Sequence, residues 1–291
     1  MVARQPLIVI VGETAAGKSA MAMRLADQFN GEIICADSWT VYKGFDIGTA
    51  KPSLAEQKQI PHHLLDVADP KIGFSAAIFK RLATVVIDDI HERGKLPILV
   101  GGTGLYIDSV LYNYSFMPTG PIERRQELDK LSLDEVKAMA AALSLDTTGI
   151  DTGNKRRLIR LIENNGKKPE RQKLRSNTLV LGLGVPKEDL EARIEIRVDS
   201  MISGGLENEV KQLKAEYGWD IEPMKGIGYR EFGVYFAGEQ TMEQTREQII
   251  RSTLLLAKKQ RTWFKRNKSI QWVNDLSQAV DLATTFLNKK Q

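Results

Sequence analysis

The feature that most constrains this chain is an octapeptide near its start, GETAAGKS at residues 12–19. It matches the G-x-x-x-x-G-K-[ST] pattern of phosphate-binding loops. A short β-branched run, LIVIV at residues 7–11, precedes it directly, and a helical pattern follows to about residue 29. Buried parallel strands have this apolar character, and the order strand, loop, helix is the one that such a loop requires. The sequence therefore predicts a binding site for a di- or triphosphate.

Each residue type in this loop has a physical task. Glycines permit backbone angles that turn amides inward around an anion, and the following helix directs its positive end to the same place. Lys18 supplies a point charge, while Ser19 supplies a hydroxyl ligand for Mg²⁺. The loop by itself does not say which phosphate compound is bound.

Strand-like and helix-like segments alternate along much of the chain. Residues 32–36, 96–100 and 178–183 are predicted strands, and helical spacing covers 75–93, 186–202, 205–217 and 241–266. Such alternation predicts an α/β fold, a doubly wound parallel P-loop sheet flanked by helices. In the last of these helices, residues 254–257 are predicted to face the core.

The strand rhythm stops between about residues 113 and 176, where the chain is polar and helical. Helices are predicted at 132–143 and 154–166, the second ending at a glycine. We therefore predict a core domain formed by residues 1–112 and 177–291, with a helical insertion domain at 113–176.

Composition narrows the class of protein. The single cysteine, Cys35, excludes an internal disulfide, and with only three histidines a structural zinc site is improbable. No apolar run approaches the roughly 20 residues of a membrane span, and the run at residues 7–11 is too short for a signal peptide. We expect a soluble, monomeric, cytoplasmic protein without a membrane partner.

Asp37 directly follows the second predicted strand, at the sheet edge where ligands of doubly wound folds bind. It could take a proton from an acceptor that attacks a phosphate-bearing substrate, or it could cap the next segment. Residues 38–52 lack regular periodicity and are predicted to form a functional loop or lid. Trp39 in this loop could stack on a base or pack in the core.

Two further patterns imitate metal sites. His62 and His63 are adjacent, and adjacent side chains do not normally converge on one ion, so we predict structural or hydrogen-bonding roles. Asp88 and Asp89 end a VVIDD run that resembles a metal-binding strand. The run lies inside a helical pattern, so we predict solvated helix residues, which disfavours a GTPase-type switch.

Blocks along nearly the whole chain resemble the tRNA isopentenyltransferase family, the tRNA dimethylallyltransferases, in their bacterial form without a cysteine-rich finger. These enzymes prenylate an adenosine beside the anticodon. The blocks, in the family's order, are GETAAGKS, ADSWTVYKGFDIGTAKP at 36–52, HHLLD at 62–66, GGTGLY at 101–106, NKRRLIRLIE at 154–163, RVDSMISGGLENEV at 197–210, GIGYRE at 226–231 and AKKQRTWFKR at 257–266.

The resemblance implies transfer of a dimethylallyl group from dimethylallyl diphosphate, with Mg²⁺, to the N6 amine of the adenosine 3′ of the anticodon. It implies Asp37 as general base and Thr103 as a holder of that amine. The implied diphosphate-binding residues are Gly12, Thr14, Ala15, Ala16, Gly17, Lys18, Ser19 and Arg197. The implied tRNA-binding residues are Asp37, Ser38, Trp39, Thr40, Thr103, Arg125, Arg156, Arg157, Leu158, Ile159 and Arg160.

The chain departs from the family pattern at several positions. Glu13 stands where proline is usual, and Thr40 stands where glutamine is usual. The segment before Asn154 is short and lacks the family's usual wording, so the insertion domain is expected to be trimmed.

Charge is unevenly distributed along the chain. The formal net charge is only +4, yet residues 153–175 and 246–268 each carry a local net charge of +7. A charge run usually marks a solvated helix face, but here acidic partners are few. We predict that these two basic bands contact a nucleic-acid backbone.

Three other functions remain open from the residues alone. A prenyltransferase acting on free adenine nucleotides shares the loop and Asp37 but needs no basic insertion. A small-molecule P-loop kinase could use Asp37 as the base for a hydroxyl acceptor. An RNA-binding, GTPase-like module would need no catalysis.

Overall fold

The computed structural model describes residues 5–117 and 120–288 of the chain, so the outermost ends of the predicted core domain lie outside the described residues. Its six strands form one parallel sheet in the order β3-β2-β4-β1-β5-β6. The strands are β1 (Leu7–Gly12), β2 (Gly31–Cys35), β3 (His62–His63), β4 (Leu96–Gly101), β5 (Thr178–Leu183) and β6 (Ile270–Val273). The predicted α/β class and the four predicted strands are confirmed.

In sequence, helices occupy most of the chain between and after these strands. In chain order they are α1 (Lys18–Gln28), α2 (Leu54–Gln59), α3 (Ala76–Glu92), α4 (Gly104–Leu111), α5 (Ile122–Lys130), α6 (Leu133–Ala142), α7 (Lys155–Glu163), α8 (Lys187–Ser203), α9 (Leu206–Tyr217), α10 (Phe232–Phe236), α11 (Met242–Phe264) and α12 (Leu276–Asn288). A 3₁₀ turn covers Glu222–Lys225.

The centre of the sheet is β1, whose residues 7–11 are all 0% exposed. Ile8 and Ile10 pack with α1 and α12 in one apolar cluster, and alternation along the strand turns the intervening residues to the other face. A second cluster gathers residues of α8, α9, α10 and α11 with Val41, Tyr42 and Phe45 of the irregular segment 38–52. Both faces of the sheet are therefore covered, as parallel sheets require.

Strands β3 and β6 were missed by the sequence prediction. β3 has only two residues, His62 and His63, and each imidazole makes a hydrogen bond, to the Ile60 carbonyl and the Glu32 carboxylate respectively. β6 has four residues, of which Gln271 and Trp272 are exposed in succession. Neither strand shows the alternation or the apolar run that marks a strand in sequence.

The predicted helix over 75–93 is confirmed as α3, with Ser75 as its N-cap. Its buried stripe consists of Phe79, Ala83, Ile87 and Ile90, whereas Val85 is 63% exposed. Asp88 and Asp89 lie on the exposed face, so the VVIDD run is helical and does not form a strand.

The prediction that residues 254–257 all face the core was wrong. In α11 only Ala257 of this run is buried, and Leu255 is 60% exposed. Four consecutive helical residues span more than a full turn, so one side of the helix cannot hold them all.

The chain divides into two compact units, residues 1–111 with 175–291 and residues 112–174. The second unit contains α5, α6 and α7, whose apolar faces meet in a small core of Leu128, Val136, Ala140, Leu158, Ile159 and Ile162. Ser132 and Glu135 form a capping box at the start of α6, and Asn154 caps α7. Among the described residues, no helix is long and apolar enough to cross a membrane.

Candidate active site

The phosphate loop joins the end of β1 to the first turn of α1. Gly12 has a φ of 151°, and a Cβ there would lie 2.3 Å from the Leu183 carbonyl oxygen, so no side chain fits. Gly17, with a φ of 89°, stands at the N-cap of α1, and no side chain caps that first turn in the described part of the chain. The backbone amides of this turn and the positive end of the helix dipole are therefore available to an anion.

Ala15 also adopts a left-handed conformation, with a φ of 61°. For a residue with a Cβ this costs roughly 1–2 kcal/mol, and such strain concentrates at functional sites. Thr14 and Ala15 are half-buried, and Ala16 is buried, with its amide donating to the Glu13 carbonyl at 3.3 Å.

Two cations, Lys18 and Arg197, line the cavity beside this loop. Burial, followed by the nearby Arg197 guanidinium, lowers the pKa of Lys18 to about 8, while Asp37 and Glu13 act in the opposite direction. Burial likewise lowers the pKa of Arg197. Lys18 donates to the Glu13 carbonyl at 2.7 Å, and Arg197 donates to the Thr49 carbonyl at 3.4 Å. Neither side chain forms an ion pair with any described residue, so an anionic ligand in the cavity can neutralise both charges.

Asp37 lies at the carboxyl end of β2, as predicted, and faces the same cavity. Its Oδ1 accepts hydrogen bonds from the Trp39 amide at 2.8 Å and the Thr40 amide at 3.5 Å. The capping role and a role in the cavity are therefore compatible, because only one carboxylate oxygen is used by the turn.

Thr103 connects the ends of two neighbouring strands. Its Oγ1 accepts from the Ser38 amide at 3.1 Å and donates to the Ser38 hydroxyl at 3.4 Å. Thr103 follows β4 and Ser38 follows β2, so the hydroxyl holds the segment after Asp37 against the glycine turn. Thr103 is not among the residues that line the cavity.

The cavity has a volume of about 170 Å³. Its polar lining combines the loop residues Thr14, Lys18 and Ser19 with Asp37 and Arg197. Its apolar lining includes Ala22, Ile33, Cys35 and Val100, which belong to α1, β2 and β4. Such a cavity can take a ligand with an anionic end and a small hydrocarbon end. Burial, with a smaller effect of Asp37, raises the pKa of the Cys35 thiol to about 12, so the sulfur remains a neutral, apolar wall.

Trp39 and Thr40 also line this cavity. The Trp39 ring packs against Gly226, where a Cβ would lie 3.2 Å from the ring. Thr40 is 6% exposed, and its hydroxyl has no hydrogen-bond partner among the described residues. A buried, unsatisfied hydroxyl at a cavity wall is a group that a ligand can satisfy.

Sequence reasoning missed Gln260 of α11 as a residue of this site. Its Oε1 accepts from the Thr14 amide at 2.8 Å, and its Nε2 donates to the Gly102 carbonyl at 3.1 Å. One side chain thus ties the phosphate loop to the glycine turn after β4. The only signal in the sequence was the position of Gln260 within the AKKQRTWFKR block.

Glu13, the departure from the expected proline, is 2% exposed and forms a bidentate ion pair with Arg261 at 2.7 and 2.6 Å. The Val185 amide donates to the same carboxylate at 3.2 Å, and Arg261 donates to the Val185 carbonyl at 2.9 Å. The substitution therefore places a paired, buried charge in the phosphate loop, which satisfies the carboxylate.

The remaining predicted tRNA-binding residues belong to the second compact unit. Arg125 pairs with the buried Glu163 carboxylate through two hydrogen bonds of 2.7 Å, and Arg160 lies 3.3 Å from the same group. The side chains of Leu158 and Ile159 are buried in the core of this unit, so the surface of the segment consists of backbone and arginine. The exposed members are Arg156 and Arg157.

In the second basic band, residues 246–268, some cations form ion pairs and others do not pair with any described residue. Arg246, Arg251 and Arg261 pair with Asp199, Glu247 and Glu13 respectively. The exposed cations without an ion pair in the described residues are Lys258, Lys259, Lys265, Arg266 and Lys268. The Arg266 guanidinium lies 4.4 Å from the centre of the Trp263 ring.

Comparison with known proteins places this chain in a family. Residues 40–267 match the family model for IPP transferase, which is more than half of the chain. The chain belongs to the IPP transferase family. The resemblance predicted from the sequence blocks is confirmed, and with it the transferase class.

Individual relatives of this IPP transferase family member have names that agree with the family assignment. A protein named tRNA dimethylallyltransferase from Anoxybacillus flavithermus is 43% identical over 280 residues, 92% of this chain and 90% of that protein. The crystal structure of a full-length tRNA isopentenylpyrophosphate transferase from Bacillus halodurans has a TM-score of 0.77 at 34% identity, covering 99% of this chain and 98% of that one. Crystallographic snapshots of a eukaryotic dimethylallyltransferase acting on tRNA give a TM-score of 0.84 at 28% identity, covering 99% and 81%.

Proposed function

We propose that this chain transfers a dimethylallyl group from dimethylallyl diphosphate to the exocyclic N6 amine of the adenosine 3′ of the anticodon in tRNA, releasing diphosphate. The observation that carries the proposal is the cavity itself. Lys18 and Arg197, which form no ion pair with any described residue, share it with an apolar wall and with the Asp37 carboxylate. A donor with a diphosphate at one end and a five-carbon hydrocarbon at the other matches that combination.

The donor diphosphate would be held by the loop from Gly12 to Ser19. Amides of the first turn of α1 and the side chains of Lys18 and Arg197 would absorb the charge that develops on the leaving group. The hydrocarbon end would rest against Ile33, Cys35 and Val100, where burial of apolar surface favours it.

Mg²⁺ fits the donor set of the loop. Ser19 offers one hydroxyl at the exposed start of α1, and Mg²⁺ commonly combines one or two protein oxygens with water and substrate phosphates. Ser19 is therefore the residue that we assign to the ion. When bound, the ion would neutralise part of the negative charge of the diphosphate.

The acceptor amine is a weak nucleophile because its lone pair is delocalised into the purine ring. Reaction forms a bond from N6 to the terminal carbon of the donor and breaks the bond from that carbon to diphosphate. Asp37 would take the proton that N6 loses, because it lines the cavity in which the two substrates would meet. Thr103 would help to hold the amine, and Ser38, Trp39 and Thr40 would contact the adenosine, which must leave its stack.

The tRNA backbone would be contacted by the side chains of Arg125, Arg156, Arg157 and Arg160, and by the main chain of Leu158 and Ile159. Cationic side chains bind nucleic-acid phosphates irrespective of sequence, which suits a surface that positions the substrate. Because its substrate would be tRNA, we assign the enzyme to the cytoplasm. Family membership disfavours the kinase and the enzyme of free adenine nucleotides.

The test incubates the purified protein and Mg²⁺ with isotopically labelled dimethylallyl diphosphate and tRNA. We expect label in one nucleoside, at the adenosine 3′ of the anticodon, and release of diphosphate. The matched control is the same tRNA with guanosine at that position, which should remain unlabelled. A parallel reaction offers AMP in place of tRNA. Active, folded protein that labels neither tRNA, or that labels AMP as well as it labels tRNA, would overturn the proposal.

A further inference from the structure

The irregular segment 38–52 contributes backbone as well as side chains to the cavity. Gly48, Thr49 and Ala50 line it, and the Thr49 carbonyl accepts the hydrogen bond from Arg197. This is the only hydrogen bond that Arg197 makes to a described residue. The place of residue 49 therefore bears on where the guanidinium lies.

A single carboxylate of α9 holds this stretch of backbone. Glu209 accepts hydrogen bonds from three consecutive amides, those of Asp46 at 3.2 Å, Ile47 at 2.8 Å and Gly48 at 3.1 Å. Its Oε1 also accepts from the Tyr229 hydroxyl at 2.8 Å. Hydrogen bonds to an ionised acceptor are about twice as strong as neutral ones, so this carboxylate holds the turn firmly.

The Tyr229 ring adds a steric constraint to the same turn. It is 1% exposed, lies 4.9 Å from the Phe45 ring, and would be 2.5 Å from a Cβ at Gly48. The backbone at Gly48 therefore lies directly on the aromatic ring. Burial, followed by the nearby Glu209 carboxylate, raises the pKa of Tyr229, so the phenol stays a neutral donor.

We propose that Glu209 and Tyr229 are positioning residues that set the place of Arg197 through residues 46–49. The inference rests on the proposed function, because it takes Arg197 to bind the donor diphosphate. Neither residue lines the cavity, so neither contacts the substrate directly. Without the Glu209 carboxylate, and the Tyr229 hydroxyl that donates to it, the amides of 46–48 lose their acceptor and the Thr49 carbonyl can move away from the Arg197 guanidinium.

The test compares Glu209→Gln with Glu207→Gln. Glu207 lies on the same helix and also accepts a tyrosine hydroxyl, that of Tyr235 at 3.1 Å, whereas the amides of 46–48 donate to Glu209 and not to it. We expect Glu209→Gln to weaken binding of inorganic diphosphate, and to raise the KM for dimethylallyl diphosphate, by about tenfold, the loss of one charge-assisted hydrogen bond. The KM for tRNA and the affinity of Glu207→Gln for diphosphate should stay unchanged.

A double-mutant cycle separates positioning from general destabilisation. If Glu209 acts through Arg197, then Glu209→Gln should have little further effect on diphosphate affinity in an Arg197→Ala background. An equal fold-change in both backgrounds, or an equal effect of Glu207→Gln, would overturn the proposal. Tyr229→Phe, which removes one hydroxyl, repeats the test if Glu209→Gln fails to fold. Because binding of inorganic diphosphate needs no turnover, this outcome is independent of whether tRNA is the acceptor.

Discussion

At the scale of single residues, Asp37 combines an observed structural contact with the proton-acceptor role that we propose for it. Its Oδ1 caps the turn at Trp39 and Thr40, while its Oδ2 accepts no hydrogen bond from any described residue. The turn fixes the carboxylate, and the second oxygen remains available to a substrate. This division suits a general base, whose position matters as much as its basicity.

Replacing Asp37 by asparagine tests this role. The amide keeps the acceptor for the Trp39 amide but cannot take a proton, so we expect turnover to fall by roughly 10²–10⁴-fold with little change in tRNA affinity. Single-turnover transfer and tRNA binding measure the two quantities separately. Asp88→Asn, at an exposed position of α3, is the control and should retain full turnover. Undiminished transfer in Asp37→Asn would place the base elsewhere.

Glu32, at the opposite end of β2, does not line the cavity and belongs to a cluster of ion pairs. It is 1% exposed and contacts Arg93, Lys95 and His63. Hydrogen bonding to Arg93 is the largest cause that lowers the pKa of Glu32, from 4.5 to about 2. Because the pKa is lower in the folded state, this carboxylate stabilises the fold above its ordinary pKa and loses that contribution as pH falls.

We therefore expect the stability difference between the native chain and Glu32→Gln to depend on pH. It should be constant above pH 4.5 and shrink as pH falls from 4.5 towards 2, the interval between the two pKa values. Urea unfolding of both proteins across this range measures the difference. A difference that did not change with pH would show that folding does not lower the pKa of Glu32.

At the scale of elements, α11 organises the phosphate-binding end of the sheet. Three residues in its last turns reach the phosphate loop, the glycine turn after β4 and helix α4: Gln260 binds Thr14 and Gly102, Arg261 binds Glu13, and Trp263 donates to Asp108 at 3.0 Å. A Cβ at Gly104 would lie only 2.3 Å from the Trp263 ring. The chain after the glycine turn therefore packs closely against the helix.

The ion pair between Glu13 and Arg261 joins two charged side chains, and Glu13→Gln tests its contribution. The change leaves Arg261 without its charge partner, and breaking such a buried pair costs about 3 kcal/mol. The matched control is Glu247→Gln, which breaks the exposed pair with Arg251 on the same helix at 3.1 Å. Surface pairs contribute only about 0–1 kcal/mol, so the control should unfold near the native midpoint. Equal stability of both variants in urea would contradict a structural role for Glu13.

At the scale of the whole molecule, charge is segregated. The two basic bands together exceed the net charge of +4, so the rest of the chain is acidic. Some cations of each band are paired within the fold: Arg160 pairs with Glu163 in the first band, and Arg246, Arg251 and Arg261 pair with Asp199, Glu247 and Glu13 in the second. What remains exposed is the part that can meet an RNA backbone.

The salt dependence of tRNA binding reports on this exposed charge. In the double variant Arg156→Gln, Arg157→Gln, we expect weaker binding and a slope of log K against log salt that is smaller by roughly one for each lost phosphate contact. Lys137→Gln, in the same helical unit and paired with Asp134, is the control. An unchanged slope in the double variant would make this band a solvated face.

The sequence by itself determined the phosphate loop, the α/β class, the place of Asp37 and the family. These features depend on local order, since a run of apolar residues before a glycine loop can be recognised without knowing what packs on it. The helical unit between the two halves of the core could also be predicted, because strand-like segments cease there and the local charge becomes strongly positive.

Only the tertiary structure decided what holds the site together. The contact between Thr14 and Gln260 joins residues 246 positions apart, and Glu209 reaches the turn at Ile47 across 162 positions. Partners at such separations are chosen by how helices and strands pack, which no local pattern encodes. For the same reason the pairing of Glu13 and the burial of Leu158 and Ile159 emerged only from the fold.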